Sequence, residues 1–242
     1  MQLAKANVWP LRGKCGTLYC TMKSGRGLLL VVSSPSGAGK TTLCRALRKE
    51  HPHLRFSVSY TTRAPRAGEV PGADYHFVSD VQFDHMIERQ GFAEWALIHG
   101  KRYGTSVQAV QEALDLGHHV LFDIDYQGAE SLLRQFPGAS CLVYILPPSL
   151  TVLATRLRSR GTETEDRVQA RLKKAKEEIS HHGSYKYLVL NDSMEHALRE
   201  LSAIYRVEQG VDVPTETREL VGDCLQPKRA TLAEKLLMEE SQ

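Results

Sequence analysis

The stretch LLLVVSSPSGAGKTT, residues 28–42, limits the fold more than any other part of the chain. Its apolar run from Leu28 to Ser33 suits a strand buried on both faces. The run stops in a short loop of Ser, Pro and Gly, and Leu43, Ala46 and Leu47 then recur at helical spacing over 41–50. Gly37 and Gly39 let the backbone curl so that successive N–H groups converge, and the next helix adds the positive end of its dipole. Lys40 can reach bound phosphates as a point charge, and Thr41 offers an oxygen that suits Mg²⁺. The usual pattern, G-x-x-x-x-G-K-[ST], has Gly where this chain has Ser34. A plain strand-to-helix turn would use Gly and Ser equally well, but it gives no reason for Lys-Thr directly after the second Gly.

The rest of the chain fits an α/β protein with a parallel sheet, because strands and helices alternate. Strands are expected at 56–60, 92–98, 119–125, 141–146 and 187–191. Helices are expected at 81–89, 106–116 with Ser106 as N-cap, 127–135, 150–159, 164–181 and 194–209. Residues 60–104 break the rhythm with Pro, Gly and mixed charge and read as an inserted subdomain. Residues 210–227 read as loop, and 232–238 as a short amphipathic stretch.

Composition narrows the function. The chain has 242 residues, 42% apolar and 24% charged, which is enough for a sizeable core. Its net charge of +3 equals the contribution of Lys5, Arg12 and Lys14, which lie in an acid-free segment, so the body carries no field that calls for nucleic acid. No run approaches the roughly 20 apolar residues that span a bilayer, so no membrane partner is expected. Cys15, Cys20, Cys44, Cys141 and Cys224 lack C-x-x-C spacing and read as reduced cytoplasmic thiols, with Cys44 and Cys141 in the core. Residues 1–26 are an extension for which three readings stand open: a disordered tail, a weak organelle presequence, or a start codon placed before the functional one at Met22.

Two further constellations carry chemistry. Asp123 and Asp125 end a buried strand and, two apart, face one side. Either can serve magnesium or its waters, or merely hold an arginine. Arg63 and Arg66 lie near Ser59, Thr61 and Tyr75, and two guanidinium forks among hydroxyls suit a second phosphate or a solvated loop.

Seven ordered blocks then carry a resemblance: PSGAGKTT, SVSYTTRAPRAGEVPGADYHFV, EWALIHGKRYGTS, DIDYQGA, LPPS, RLRSRGTETEDRVQARL and VLND. Over residues 27–209 the chain resembles the guanylate kinase family, which phosphorylates GMP with ATP. The resemblance implies the P-loop nucleoside monophosphate kinase fold. Its parts would be a core of 27–59 and 105–209, a GMP-binding subdomain of 60–104, a helical lid of about 150–181, and a tail of 210–242. It implies that Ser34, Pro35, Ser36, Gly37, Ala38, Gly39, Lys40, Thr41 and Thr42 hold the phosphates of ATP and that Asn191 contacts adenine. Ser59, Arg63, Arg66, Tyr75 and Tyr103 would hold the GMP phosphate. Glu94, Gly104 and Thr105 would form the guanine pocket, which Asp123 would help complete, with the orienting of Arg63 as one way to do so. Lys40, Arg63 and the lid residues Arg160 and Arg171 would stabilise the transferring phosphoryl group, with Gly161 as hinge. Mg²⁺ would sit on Thr41, with Asp125 a candidate through water.

Chemistry supports Glu94 independently, since guanine offers two adjacent donors on one edge and a carboxylate only accepts. Tyr60, between Ser59 and Thr61, departs from the small polar residue usual there and by alternation points away from Ser59. The histidines are not needed as bases, because a phosphate oxygen of GMP is already deprotonated. Two rivals remain. A phosphate-loop kinase for another small phosphate ester would have no use for Glu94 and Thr105. A peptide-binding module that has lost catalysis would be expected to have a degraded loop and lid.

Overall fold

The structure, a computed structural model, describes residues 27–98, 100–159 and 164–239. Strand β1 (Leu29–Ser33) is buried at every position. Its side chains alternate between two clusters. Leu29 and Val31 meet Phe122, Leu142 and Leu146 on one face, and Leu30 and Val32 meet Leu43, Leu47 and Ile145 on the other. A strand that is apolar on both faces belongs inside a sheet covered on both sides. Accordingly, β1 is the middle strand of a five-stranded sheet. The others are β2 (Arg55–Phe56), β7 (Val120–Asp123), β8 (Ser140–Leu146) and β9 (Tyr187–Leu190), in the order β2-β7-β1-β8-β9. All pairings are parallel, as expected, and Val32 lies beside Asp123.

One face is covered by α1 (Lys40–Glu50) and α7 (Met194–Glu208), and the other by α4 (Tyr126–Gln135), α5 (Leu150–Arg158) and α6 (Glu165–Ser180). Cys44 and Cys141 are buried in the core as expected, and Cys224 joins them.

The inserted region forms a second sheet. It contains β3 (Ser59–Thr61), β4 (Tyr75–Phe77), β5 (Phe92–Ile98) and β6 (Lys101–Ser106), in the order β4-β3-β6-β5. The single strand expected at 56–60 is therefore corrected to two. Arg55 and Phe56 pair with Val120 and Leu121 in the first sheet, whereas Tyr60 and Thr61 pair with Gly104 and Tyr103 in the second. Ser57 and Val58 carry the chain across. Helices α2 (Asp80–Glu88) and α3 (Val107–Asp115) flank this sheet, with Ser106 capping α3 as expected. Tyr60 stacks on His76 with ring centroids 4.5 Å apart.

The C-terminal part also departs from the expected loop. Residues 210–227 contain α8 (Thr215–Asp223), and α9 (Gln226–Met238) is longer than the stretch anticipated. Pro214 only precedes α8, and Pro227 lies in the first turn of α9, where a missing N–H breaks no helical bond. Arg229 on α9 grips the fully buried Glu200 at 2.6 and 2.8 Å. Glu239, just beyond α9, accepts from the Leu150 N–H at 2.7 Å, and Lys176 donates to the Glu239 carbonyl. Among the described residues no helix is long and apolar enough to cross a membrane.

Candidate active site

The phosphate loop, residues 34–39, joins β1 to α1 and needs two left-handed residues, Gly37 and Gly39, both at φ +95°. Gly39 has a second reason to be glycine. A Cβ there would lie 2.5 Å from the side-chain amide of Asn191. That amide is buried and donates to the Ala38 carbonyl at 2.6 Å. Asn191, aimed by the resemblance at adenine, thus has an N–H committed to the loop backbone, and it braces the loop from the end of β9.

The β1–β7 register brings Asp123 to the same place. Its carboxylate lies 2.6 Å from Lys40 Nζ and accepts from Thr41 Oγ1 at 3.0 Å. Lys40 also donates to the Ile124 carbonyl at 2.9 Å. Asp125 turns elsewhere and caps α4, accepting from the Gly128 N–H at 3.0 Å. Of the two carboxylates, Asp123 stands beside Thr41. The expectation that Asp123 orients Arg63 is corrected, because Arg63 has a nearer partner.

That partner is Glu69, which the sequence reading missed. Arg63 donates to both of its carboxylate oxygens, at 2.7 and 3.0 Å, and the Arg66 N–H donates to it at 2.7 Å. These bonds hold the Glu69 carboxyl below its usual range. The bidentate fork fixes the Arg63 plane over Tyr75, whose ring centroid is 5.2 Å away, and Tyr75 meets Tyr103 edge-on at 5.9 Å. Ser59 is paired with Tyr75 across β3 and β4. Ser59, Arg63, Tyr75 and Tyr103 therefore converge on one side of the second sheet, while the Arg66 side chain is exposed.

Glu94 and Thr105 face each other across β5 and β6, and both are buried. Thr105 Oγ1 donates to Glu94 at 2.7 Å, and Ser57 Oγ lies 3.3 Å from Thr105 Oγ1. Burial raises the Glu94 carboxyl to about 7; the Thr105 hydrogen bond opposes this and the Asp125 charge adds to it. Helix α4 closes the back. Ser131 and Gln135 donate to the Ala93 carbonyl at 2.7 and 2.9 Å, and a Cβ on Gly128 would come within 3.2 Å of Glu94. A Cβ on Gly104, between Tyr103 and Thr105 on β6, would meet the Phe92 ring at 2.8 Å and the Trp95 Cβ at 2.9 Å, so this position must stay small.

Among the lid arginines, Arg171 is half-buried on α6, whereas Arg160 and the hinge Gly161 lie outside the described residues. Arg158 pairs with Glu165 at 2.6 Å, bridging α5 and α6, and this holds the Glu165 carboxyl down at about 2. Arg156 donates to the Asn191 carbonyl at 3.2 Å.

A protein-family model described as guanylate kinase matches residues 26–208. The guanylate kinase of Maricaulis maris is 48% identical over 184 residues, covering 76% of this chain and 84% of that protein. That of Pseudomonas fluorescens strain Pf-5 is 45% identical over 188 residues, covering 78% of this chain and 91% of that protein. A crystal structure of guanylate kinase from Anaplasma phagocytophilum superposes with a TM-score of 0.61 at 32% identity, covering 83% of this chain and 96% of that one.

Proposed function

The chain belongs to the guanylate kinase family and transfers the γ-phosphoryl group of ATP to GMP, giving ADP and GDP; we propose that the phosphate loop holds ATP and the second sheet holds GMP. The observation that carries the division is the buried Glu94–Thr105 pair, which stands apart from the Lys40–Asp123–Thr41 group. A buried carboxylate with a single side-chain donor is costly unless a ligand completes it. Guanine N1–H and its exocyclic amine are two such donors; as they take over the Glu94 oxygens, the Thr105 hydroxyl proton is released to donate to O6.

Residues 34–42 supply backbone N–H groups, the hydroxyls of Ser34, Ser36, Thr41 and Thr42, and the Lys40 ammonium to bind ATP, with Lys40 reaching the β- and γ-phosphates. Ser59, Arg63, Arg66, Tyr75 and Tyr103 hold the GMP phosphate, with Glu69 fixing the Arg63 fork. Arg171 and Arg160 meet the charge that spreads over the equatorial oxygens during transfer. The Thr41 hydroxyl and the Asp123 carboxylate make an all-oxygen pair that fits Mg²⁺, directly or through its waters. When bound, the ion neutralises charge on the β- and γ-phosphates. Closure of residues 150–181 over the donor would exclude water and limit wasteful ATP hydrolysis. Three unpaired thiols buried among the described residues fit a reducing compartment, and the cytoplasm is the proposed place of action.

The test is an ADP-release assay over a panel of nucleoside monophosphates, run on the native chain and on Glu94→Ala. Activity confined to GMP, and largely lost in the variant, is expected. Equal turnover of AMP, or an unaffected variant, would overturn the guanine assignment.

A further inference from the structure

Helix α4 makes contacts on two opposite faces. At about 100° per residue, Gly128, Ser131 and Gln135 fall in one sector, and Tyr126 and Glu130 fall in another on the far side. The first sector backs the guanine pocket. Ser131 and Gln135 donate to the Ala93 carbonyl on β5, and Gly128 leaves room for the Glu94 carboxylate. The second sector meets the segment that follows α6. The Tyr126 ring stacks on the His181 ring, with centroids 3.9 Å apart and planes 19° from parallel. One turn on, Glu130 accepts from Ser184 Oγ at 3.2 Å and lies 3.5 Å from His181 Nδ1.

Helix α6 ends on His181. Arg171 precedes it by ten residues, a helical length of about 15 Å. A tilt of about 10° at the His181 end therefore carries Arg171 through roughly 2.5 Å. A misplacement of about 1 Å is enough to cost a reaction up to 10²-fold. Val168, Leu172, Ala175 and Ile179 seat α6 on the core, but apolar burial has no preferred direction. A pair of flat rings does have one. Tyr126 and His181 are both half-buried, so neither is needed to fill the core.

We propose that Tyr126 is a positioning residue for phosphoryl transfer: stacked on His181, it sets the angle at which α6 leaves α4 and so places Arg171 on the triphosphate. It acts through His181 and α6, without touching either nucleotide. The inference rests on the ATP and GMP sites proposed above. It makes α4 a rigid bridge, with the guanine pocket on one face and the root of the lid on the other.

The experiment is steady-state kinetics of the full chain with ATP and GMP, alongside thermal melting. The variants are Tyr126→Leu, His181→Ala and the two combined, with Tyr126→Phe and His181→Phe as controls that keep a ring. Loss of either ring should lower kcat about 5- to 10-fold, the weight of one aromatic pair. The combined variant should lose no more than either single one, because both remove the same contact. Each Phe variant should keep kcat within about twofold of the parent, although His181→Phe also gives up the Glu130 contact. The KM for GMP should stay within about twofold throughout, since Gly128, Ser131 and Gln135 are unchanged. Parent-level kcat in Tyr126→Leu and His181→Ala overturns the proposal. So do losses that add in the combined variant, or a loss in the Phe variants that matches that of Leu and Ala. A kcat that only follows melting temperature, with the KM for GMP rising in step, also overturns it. If Tyr126→Leu does not fold, His181→Ala against His181→Phe still decides. A parent chain that releases no ADP with GMP overturns the nucleotide reading itself, and this is seen before any variant is made.

Discussion

At the phosphate loop the groups proposed to meet a nucleotide are mostly backbone, and β1 behind them is buried throughout. In the second sheet they are side chains on β3 and β4, short strands that are mostly half-buried. The first region is braced from distant parts of the main sheet, by Asn191 from β9 and Asp123 from β7. The second is held by side-chain pairs of its own, Arg63 with Glu69 and Glu94 with Thr105, and by α4 against the back of β5. A site made of backbone needs a rigid floor. A site made of side chains can sit on a thinner sheet, provided each polar group has a partner.

The contrast can be broken or sharpened by substitution. Lys40→Met should give the largest effect, a loss of about 10³ in kcat, because it removes a charge aimed at the transferring group. Its KM for GMP should stay near that of the parent; a comparable rise would mean that the two regions are one site. Glu94→Gln should cost about 10² in kcat/KM for GMP, since one acceptor becomes a donor facing a donor. In the parent, the KM for GMP should fall as pH rises from about 6 to 8, because the carboxyl ionises near 7 and guanine needs the carboxylate. A pH-independent KM would remove Glu94 from the pocket. Gly39→Ala should lower the melting temperature by about 5 °C, through strain at positive φ and the clash with Asn191.

The smallest effect concerns stability at the guanine end. Glu94 binds its proton more tightly in the folded chain than in the unfolded one, so it favours folding below its ordinary value of 4.5, and this is lost as pH rises through about 7. Above pH 7, Glu94→Gln should therefore melt about 2–4 °C higher than the parent without nucleotide. An unchanged melting temperature would show that the buried carboxylate carries no strain.

The same contrast explains what could be read from the sequence. The loop was legible because its parts are contiguous: strand, glycines, lysine and threonine follow one another. Asn191 bracing Gly39 was not, because the contact spans most of the chain and no local pattern signals it. Arg63 was visible as a candidate, but its partner Glu69 was hidden in a turn-rich stretch where any acid reads as solvated. Glu94 looked like an ordinary strand acid until its resemblance to family members and the facing Thr105 gave it a purpose. The split between β2 and β3 was missed because strand propensity does not reveal which sheet a segment joins. Helix α8 was missed because Pro and Gly near helix ends look the same as those in loops.

The bonds from Leu150 and Lys176 to Glu239 have a practical consequence. They join the start of α5 and the later half of α6 to one point just beyond α9, so the roots of the two helices share a single anchor. Removing the Glu239 carboxylate, as in Glu239→Ala, would take from the Leu150 N–H the acceptor that ties α5 to this anchor.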